Sequence, residues 1–142
     1  LPGKAVSDEG LAAFARCRHI RELHLPDTGV SDAGVIHFAR CRQLVDLSLR
    51  GTRVTDAGLA TFKDARRLTR LHLGRTGVGD GGLAHFAGGA ELTHVFLDDT
   101  QVGDGGLAHL RNHKSLQHLV LGGTRVGDCG LAQLKAHAGL AE

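Results

Sequence analysis

Apolar residues recur along this chain in two alternating rhythms. From Leu44 to Leu49 they follow L-x-x-L-x-L, with Asp46, Ser48 and Arg50 interleaved among Leu47 and Leu49. That alternation is the period of a strand with one buried face. Beyond Val54 the rhythm changes. Leu59 and Phe62, like Leu83 and Phe86, stand three residues apart, as on the buried face of a helix. Leu68 then restarts the first rhythm, so Leu44–Arg67 is one strand–turn–helix unit of 24 residues.

The unit repeats without gap or insertion. Full copies begin at Ile20, Leu44, Leu68, Leu92 and Leu116. Leu1 falls on position 6 of a partial copy, and Leu140-Ala141-Glu142 are the first three positions of another. Residues 1–142 therefore read as a single repeat domain. Neither end substitutes a polar cap for the repeat pattern, which suggests a slice of a longer array. One copy cannot bury its own leucines, whereas stacked copies share a continuous core. Strand and helix alternate, so the fold class is α/β with parallel strand pairing.

Several positions hold one residue type in every copy. Position 9 is Thr28, Thr52, Thr76, Thr100 and Thr124. Position 11 is always Val, and position 13 always Asp. Position 12 is Ser7, Ser31, Thr55, Gly79, Gly103 or Gly127, all favoured N-cap residues. A helix is expected to start there, with Asp in its first turn stabilised by the helix dipole. Val at position 11 and the apolar residue at position 16 have the spacing of a hydrophobic staple. Position 15 is Gly throughout, from Gly10 to Gly130. Glycine inside a helix costs roughly 1 kcal/mol against alanine. Its recurrence implies a steric need, such as close approach of a neighbouring backbone. A phosphate loop is disfavoured, because the adjacent Asp repels phosphate and no Lys follows as in a P-loop.

These residues resemble a leucine-rich repeat protein, and the resemblance covers the whole chain. The tail V-T-D-A-G-L after L-x-x-L-x-L-x-x-T is similar to the ribonuclease-inhibitor-like and cysteine-containing subclasses, with Thr where those carry Asn or Cys. A Thr hydroxyl can bond a backbone group, so a threonine ladder is expected. The resemblance implies a curved solenoid, with a parallel sheet on the concave side and helices on the convex side.

Charge adds little to this picture. The net charge is +2, with no long like-charged run. Residues 1–71 carry 12 Lys/Arg against 8 Asp/Glu, and residues 72–142 carry 5 against 7. No apolar run is long enough to span a bilayer. Arg16, Arg18, Arg40, Arg42, Arg66 and Arg67 form a basic strip near the helix ends, read here as cations complementing the helix dipole. Membrane and nucleic-acid partners are therefore not expected. The compartment is left open, with the cytoplasm slightly favoured.

Exposed strand positions vary while core positions do not. The candidate binding face comprises Arg50, Arg70, His72, Arg75, His94, Phe96, Asp98, Asp99 and His118, centred on Phe96. Aromatic and arginine anchors are the usual hot-spot types. His94 and His118 fall on adjacent strands with His72 diagonal, but no clear fourth ligand completes a metal site. No metal or other cofactor is expected. Ser48, His72 and an Asp form a poor catalytic set on a flat sheet without an oxyanion hole. No enzymatic activity or small-molecule substrate is expected. Cys17 and Cys41 share position 22 and should stack as buried free thiols, with a disulfide open in an oxidising compartment. His37, His85 and His109 read as solvated helix-face residues. The expected function is non-enzymatic binding of a protein partner through the concave face. The alternative is a structural spacer in a larger protein. Two open sheet edges imply end-to-end association.

Overall fold

The computed structural model describes residues 6–88, 91–135, 137 and 140. Each strand occupies positions 3 to 5 of its copy: β1 Glu22–His24, β2 Asp46–Ser48, β3 Arg70–His72, β4 His94–Phe96 and β5 His118–Val120. They form one parallel sheet in chain order. Registers such as Leu23 opposite Leu47 and Leu47 opposite Leu71 advance by one repeat each time. Uniform copy length fixes this register, since each leucine must enter the same layer as its equivalent. Leu44, Leu47, Leu49, Leu68, Leu71 and Leu73 are fully buried.

Helices α1 Asp8–Leu11, α2 Asp32–Val35, α3 Asp56–Leu59, α4 Asp80–Ala84, α5 Asp104–Leu110 and α6 Asp128–Ala132 follow the turns. Three of them tighten into 3₁₀ turns at Ala12–Phe14, Ile36–Phe38 and Ala60–Phe62. The expected helix thus begins as α and in these copies ends as 3₁₀, with Phe38 and Phe62 buried in the tightened turn. Position 12 is the N-cap in each case. Ala33 N–H donates to Ser31 Oγ and Ala57 N–H to Thr55 Oγ1, both at 3.3 Å.

The Asp at position 13 does more than face the dipole. Asp32 Oδ1 accepts from Thr55 N–H at 2.8 Å and Oδ2 from the Thr55 hydroxyl at 2.6 Å. Asp56, Asp80 and Asp104 accept the N–H of Gly79, Gly103 and Gly127 at 2.6, 2.6 and 2.7 Å. Each carboxylate therefore ties one helix start to the next. Burial works against ionisation of Asp8. Hydrogen bonds from the Ser31 hydroxyl, the Ser31 N–H and Gly34 outweigh it, holding the carboxyl below the usual carboxylate range.

This ladder explains position 15, with a correction to the expected neighbour. A Cβ on Gly82 would sit 2.7 Å from Asp56 Oδ1, and one on Gly106 would sit 2.7 Å from Asp80 Oδ1. The obstacle at these two glycines is the carboxylate of the preceding copy together with the valine of the same copy, Val78 Cγ1 at 2.9 Å and Val102 Cγ1 at 2.7 Å. At Gly34 and Gly130 the Asp backbone is also close, with Cα 3.1 Å away.

The threonines do not form a ladder between copies. Each position-9 Thr hydroxyl donates to the carbonyl three residues back in its own copy, as Thr52 does to Leu49 at 2.6 Å and Thr76 to Leu73 at 2.6 Å. The i−3 carbonyl lies within reach as the chain leaves the strand, so the bond closes locally. Cys41 is buried and free, its thiol 2.9 Å from the Cys17 carbonyl. Cys17 is free but exposed, contrary to expectation. Burial, with a smaller contribution from Cys17, raises the Cys41 thiol pKa. His37, His85 and His109 are half-buried on the helix side.

Candidate concave-face binding site

Two rows of side chains cross the exposed face of the sheet. The position-3 row runs Glu22, Asp46, Arg70, His94, His118, and the position-5 row runs His24, Ser48, His72, Phe96, Val120. Parallel pairing in exact repeat register puts equivalent residues side by side. Flat side chains there stack. The His72 and Phe96 rings lie 4.2 Å apart at 9°, and those of His94 and His118 lie 4.5 Å apart at 24°. Val120 extends this surface as an exposed apolar residue.

Asp46 organises the other end. Its Oδ2 is 3.7 Å from Arg70 Nη1, and its buried Oδ1 is 3.2 Å from His24 Nε2. Burial lowers the pKa of His72, with smaller contributions from its cationic neighbours, against the pull of Asp46. Burial likewise lowers that of His94, assisted by His118 and Arg70. His94 Nδ1 also shares a hydrogen bond with Thr93 Oγ1 at 2.8 Å. The centre of the face thus favours neutral imidazoles that present ring surface. Among the described residues, no group of three or more His, Cys, Asp or Glu side chains is placed to hold a metal ion.

The structure gathers Arg70, His72, His94, Phe96 and His118 on one continuous surface. Arg50 and Arg75 belong to a different group. Arg75 Nη2 contacts Asp27 Oδ1, two copies away, and Arg50 Nη1 lies 3.7 Å from Asp27 Oδ2. The guanidinium of Arg75 is thereby drawn to the β1 side, rather than packed around Phe96. Asp98 lies over Gly74, and Asp99 against Gly123, on the loops that follow the strands.

Position 8 explains much of this. Its φ is positive in all five copies: 54° at Asp27, 67° at Gly51, 56° at Arg75, 53° at Asp99 and 69° at Gly123. A side chain there starts from a left-handed backbone that favours glycine. Gly51, with no side chain, leaves the path from Arg75 to Asp27 open. Arg75→Gly is expected to leave the melting temperature unchanged or slightly raised. Relief of left-handed strain, about 1 kcal/mol, offsets an exposed ion pair of roughly 0–1 kcal/mol. A clear drop in a thermal melt would show that the Asp27 contact outweighs the strain.

Asp27 and Asp46 occupy exposed strand positions but stand outside the candidate cluster centred on Phe96. Asp46 carried a signal, standing opposite Arg70 on an adjacent strand, where opposite charges attract. Asp27 carried a weaker one, in the glycine that separates it from Arg75.

A parallel sheet in repeat register, one buried leucine layer and short helices behind it define a class. The chain has the leucine-rich repeat fold, an α/β solenoid. A family model described as leucine-rich repeat matches residues 16–39 and 66–87. Among solved structures the chain is similar to an internalin (inlF) from Listeria monocytogenes str. 4b F2365, at TM-score 0.71 and 22% identity. That match covers 89% of this chain and 35% of the other, so this chain spans about a third of that internalin's length. It is also similar to internalin C2 (inlC2) of the same strain, at TM-score 0.65 and 17% identity, covering 96% of this chain and 74% of that one. At these identities the likeness shows the fold. No curated protein matches the sequence.

Proposed function

We propose that this chain binds a protein partner through the concave face, with Phe96 and Arg70 as its principal contacts. Leucine-rich repeats are in general protein–protein interaction modules. The observation that carries the reading is the continuous His72–Phe96–Val120 surface beside Arg70 and the stacked His94–His118 pair. Aromatic and arginine side chains gathered in one patch are the usual anchors of an interface. Phe96 is only half-buried although its neighbours Val95 and Leu97 are fully buried. The role is non-enzymatic, and the partner supplies the complementary surface.

The test is capture with the wild-type chain, the concave double variant Phe96→Ala/Arg70→Ala, and a convex control, Ile36→Ala. Ile36 is 61% exposed and lies on the opposite layer. A partner held by wild type and control but lost by the double variant, with all three equally folded by circular dichroism, is the expected result. Retention by the double variant would overturn the assignment of the concave face. A spacer role is the second reading, favoured by the unbroken stacking register from β1 to β5. It expects no partner that distinguishes these variants. The outer edges of β1 and β5 are unpaired among the described residues, and we include end-to-end association through them in the proposal.

A further inference from the structure

A repeated motif remains outside the concave face. Arg16-Cys17-Arg18 and Arg40-Cys41-Arg42 place arginine on both sides of position 22, in the turn from helix to next strand. Cys41 faces the core, while Arg18, Arg40 and Arg42 stay exposed. These three arginines line one cleft of about 320 Å³. One copy further on, the equivalent positions Arg42, Asp64 and Arg66 line a second cleft of about 360 Å³. The local backbone is the same in both. Arg42 N–H donates to Arg40 O at 3.0 Å, and Arg66 N–H to Asp64 O at 2.9 Å.

The two clefts therefore differ chiefly in the side chain at position 21. In the second, Asp64 supplies an internal anion, its Oδ2 3.9 Å from Arg42 Nη2. In the first, Arg40 takes that place. Among the described residues, neither Arg18 nor Arg40 has a carboxylate partner. A purely structural role for these cations, set against helix C-termini, would call for one in every copy. The copy beginning at Leu68 has Gly88 and Ala90 at the two positions.

Arg18 and Arg40, without a carboxylate partner, repel each other across the cleft, and Arg42 beside them has only its 3.9 Å contact with Asp64, so an entering anion is attracted. Their forked N–H donors match the oxygens of a phosphate group. We infer that the Arg18–Arg40–Arg42 cleft binds a small soluble phosphate or diphosphate. Arg18 and Arg42 stand where Arg42 and Arg66 flank Asp64 in the next copy, and Arg40 adds a third cation.

Inorganic pyrophosphate is the probe, titrated calorimetrically into the folded chain at low salt. The wild type is expected to bind one equivalent. Arg40→Asp converts this cleft to its neighbour and should weaken binding at least about tenfold, the loss of one charge-assisted hydrogen bond. Asp64→Arg performs the reverse conversion and should raise the stoichiometry to two. Arg67→Asp makes the same charge change outside both clefts and should leave the Kd within about twofold. Unchanged thermal melts establish that each variant is folded. Three results would overturn the site: no saturable binding by wild type, equal weakening by Arg40→Asp and Arg67→Asp, or a stoichiometry that stays at one in Asp64→Arg. Equal weakening would mean diffuse attraction to the basic half of the chain.

Discussion

Gly58→Ala is expected to destabilise the fold by about 2 kcal/mol, an overpacking cost, although alanine is the better helix former by about 1 kcal/mol. The added Cβ would meet Val54 Cγ1 at 2.9 Å and Asp32 Oδ1 closer still. Asp32 would have to withdraw, and its two bonds to Thr55 would be lost with it. A fall in melting temperature of roughly 5–10 °C is the expected reading for a chain of this size. Gly10 supplies the internal control. It holds the same position in a copy with no preceding Asp in this chain, and a Cβ there would find nothing nearer than Ser7 Oγ at 4.0 Å. Gly10→Ala should therefore be neutral or stabilise by up to about 1 kcal/mol. Equal losses from both substitutions would remove the carboxylate as the cause.

The second large effect belongs to that carboxylate. Asp32→Ala should cost about 2 kcal/mol, because hydrogen bonds to a charged group contribute roughly 1.5–3 kcal/mol. The loss should be local as well as global. The amide of Thr55 is expected to lose much of its hydrogen-exchange protection, while Leu47 and Leu71 in the sheet keep theirs relative to the global opening. The two substitutions should also be coupled. With Asp32 shortened, a Cβ at position 58 faces mainly the movable end of Val54, so Gly58→Ala should cost less in that background. A double-mutant cycle reads this as a departure from additivity of about 1 kcal/mol or more. Strict additivity would show that carboxylate and glycine do not depend on each other.

Much of this was legible because the repeat is a ruler. Equal spacing of leucines sets the strand register, since any slip would carry Leu47 or Leu71 out of the shared layer. The N-caps at Ser31 and Thr55 were legible from residue type and from the staple spacing of Val30 and Val54. The need for a small residue at Gly58 was legible too, from its cost in a helix. Adjacency of His94 and His118, and of His72 and Phe96, followed from the same register.

The chain alone thus determined which leucines of the inner copies are buried, where each helix begins and which equivalent residues lie side by side. Only the tertiary structure decided what crosses between copies. Periodicity says that two positions are near. It does not say which side chain reaches which group. Asp32 reaches forward to Thr55, and its carboxylate, rather than neighbouring main chain, is what a side chain at Gly58 would strike first. The Thr52 hydroxyl, by contrast, turns back to Leu49. Arg75 was separated from Phe96 by a left-handed turn and by its attraction to Asp27 across Gly51. These are choices of side-chain direction, fixed by backbone conformation and by charge two copies away, and no spacing along the sequence encodes them.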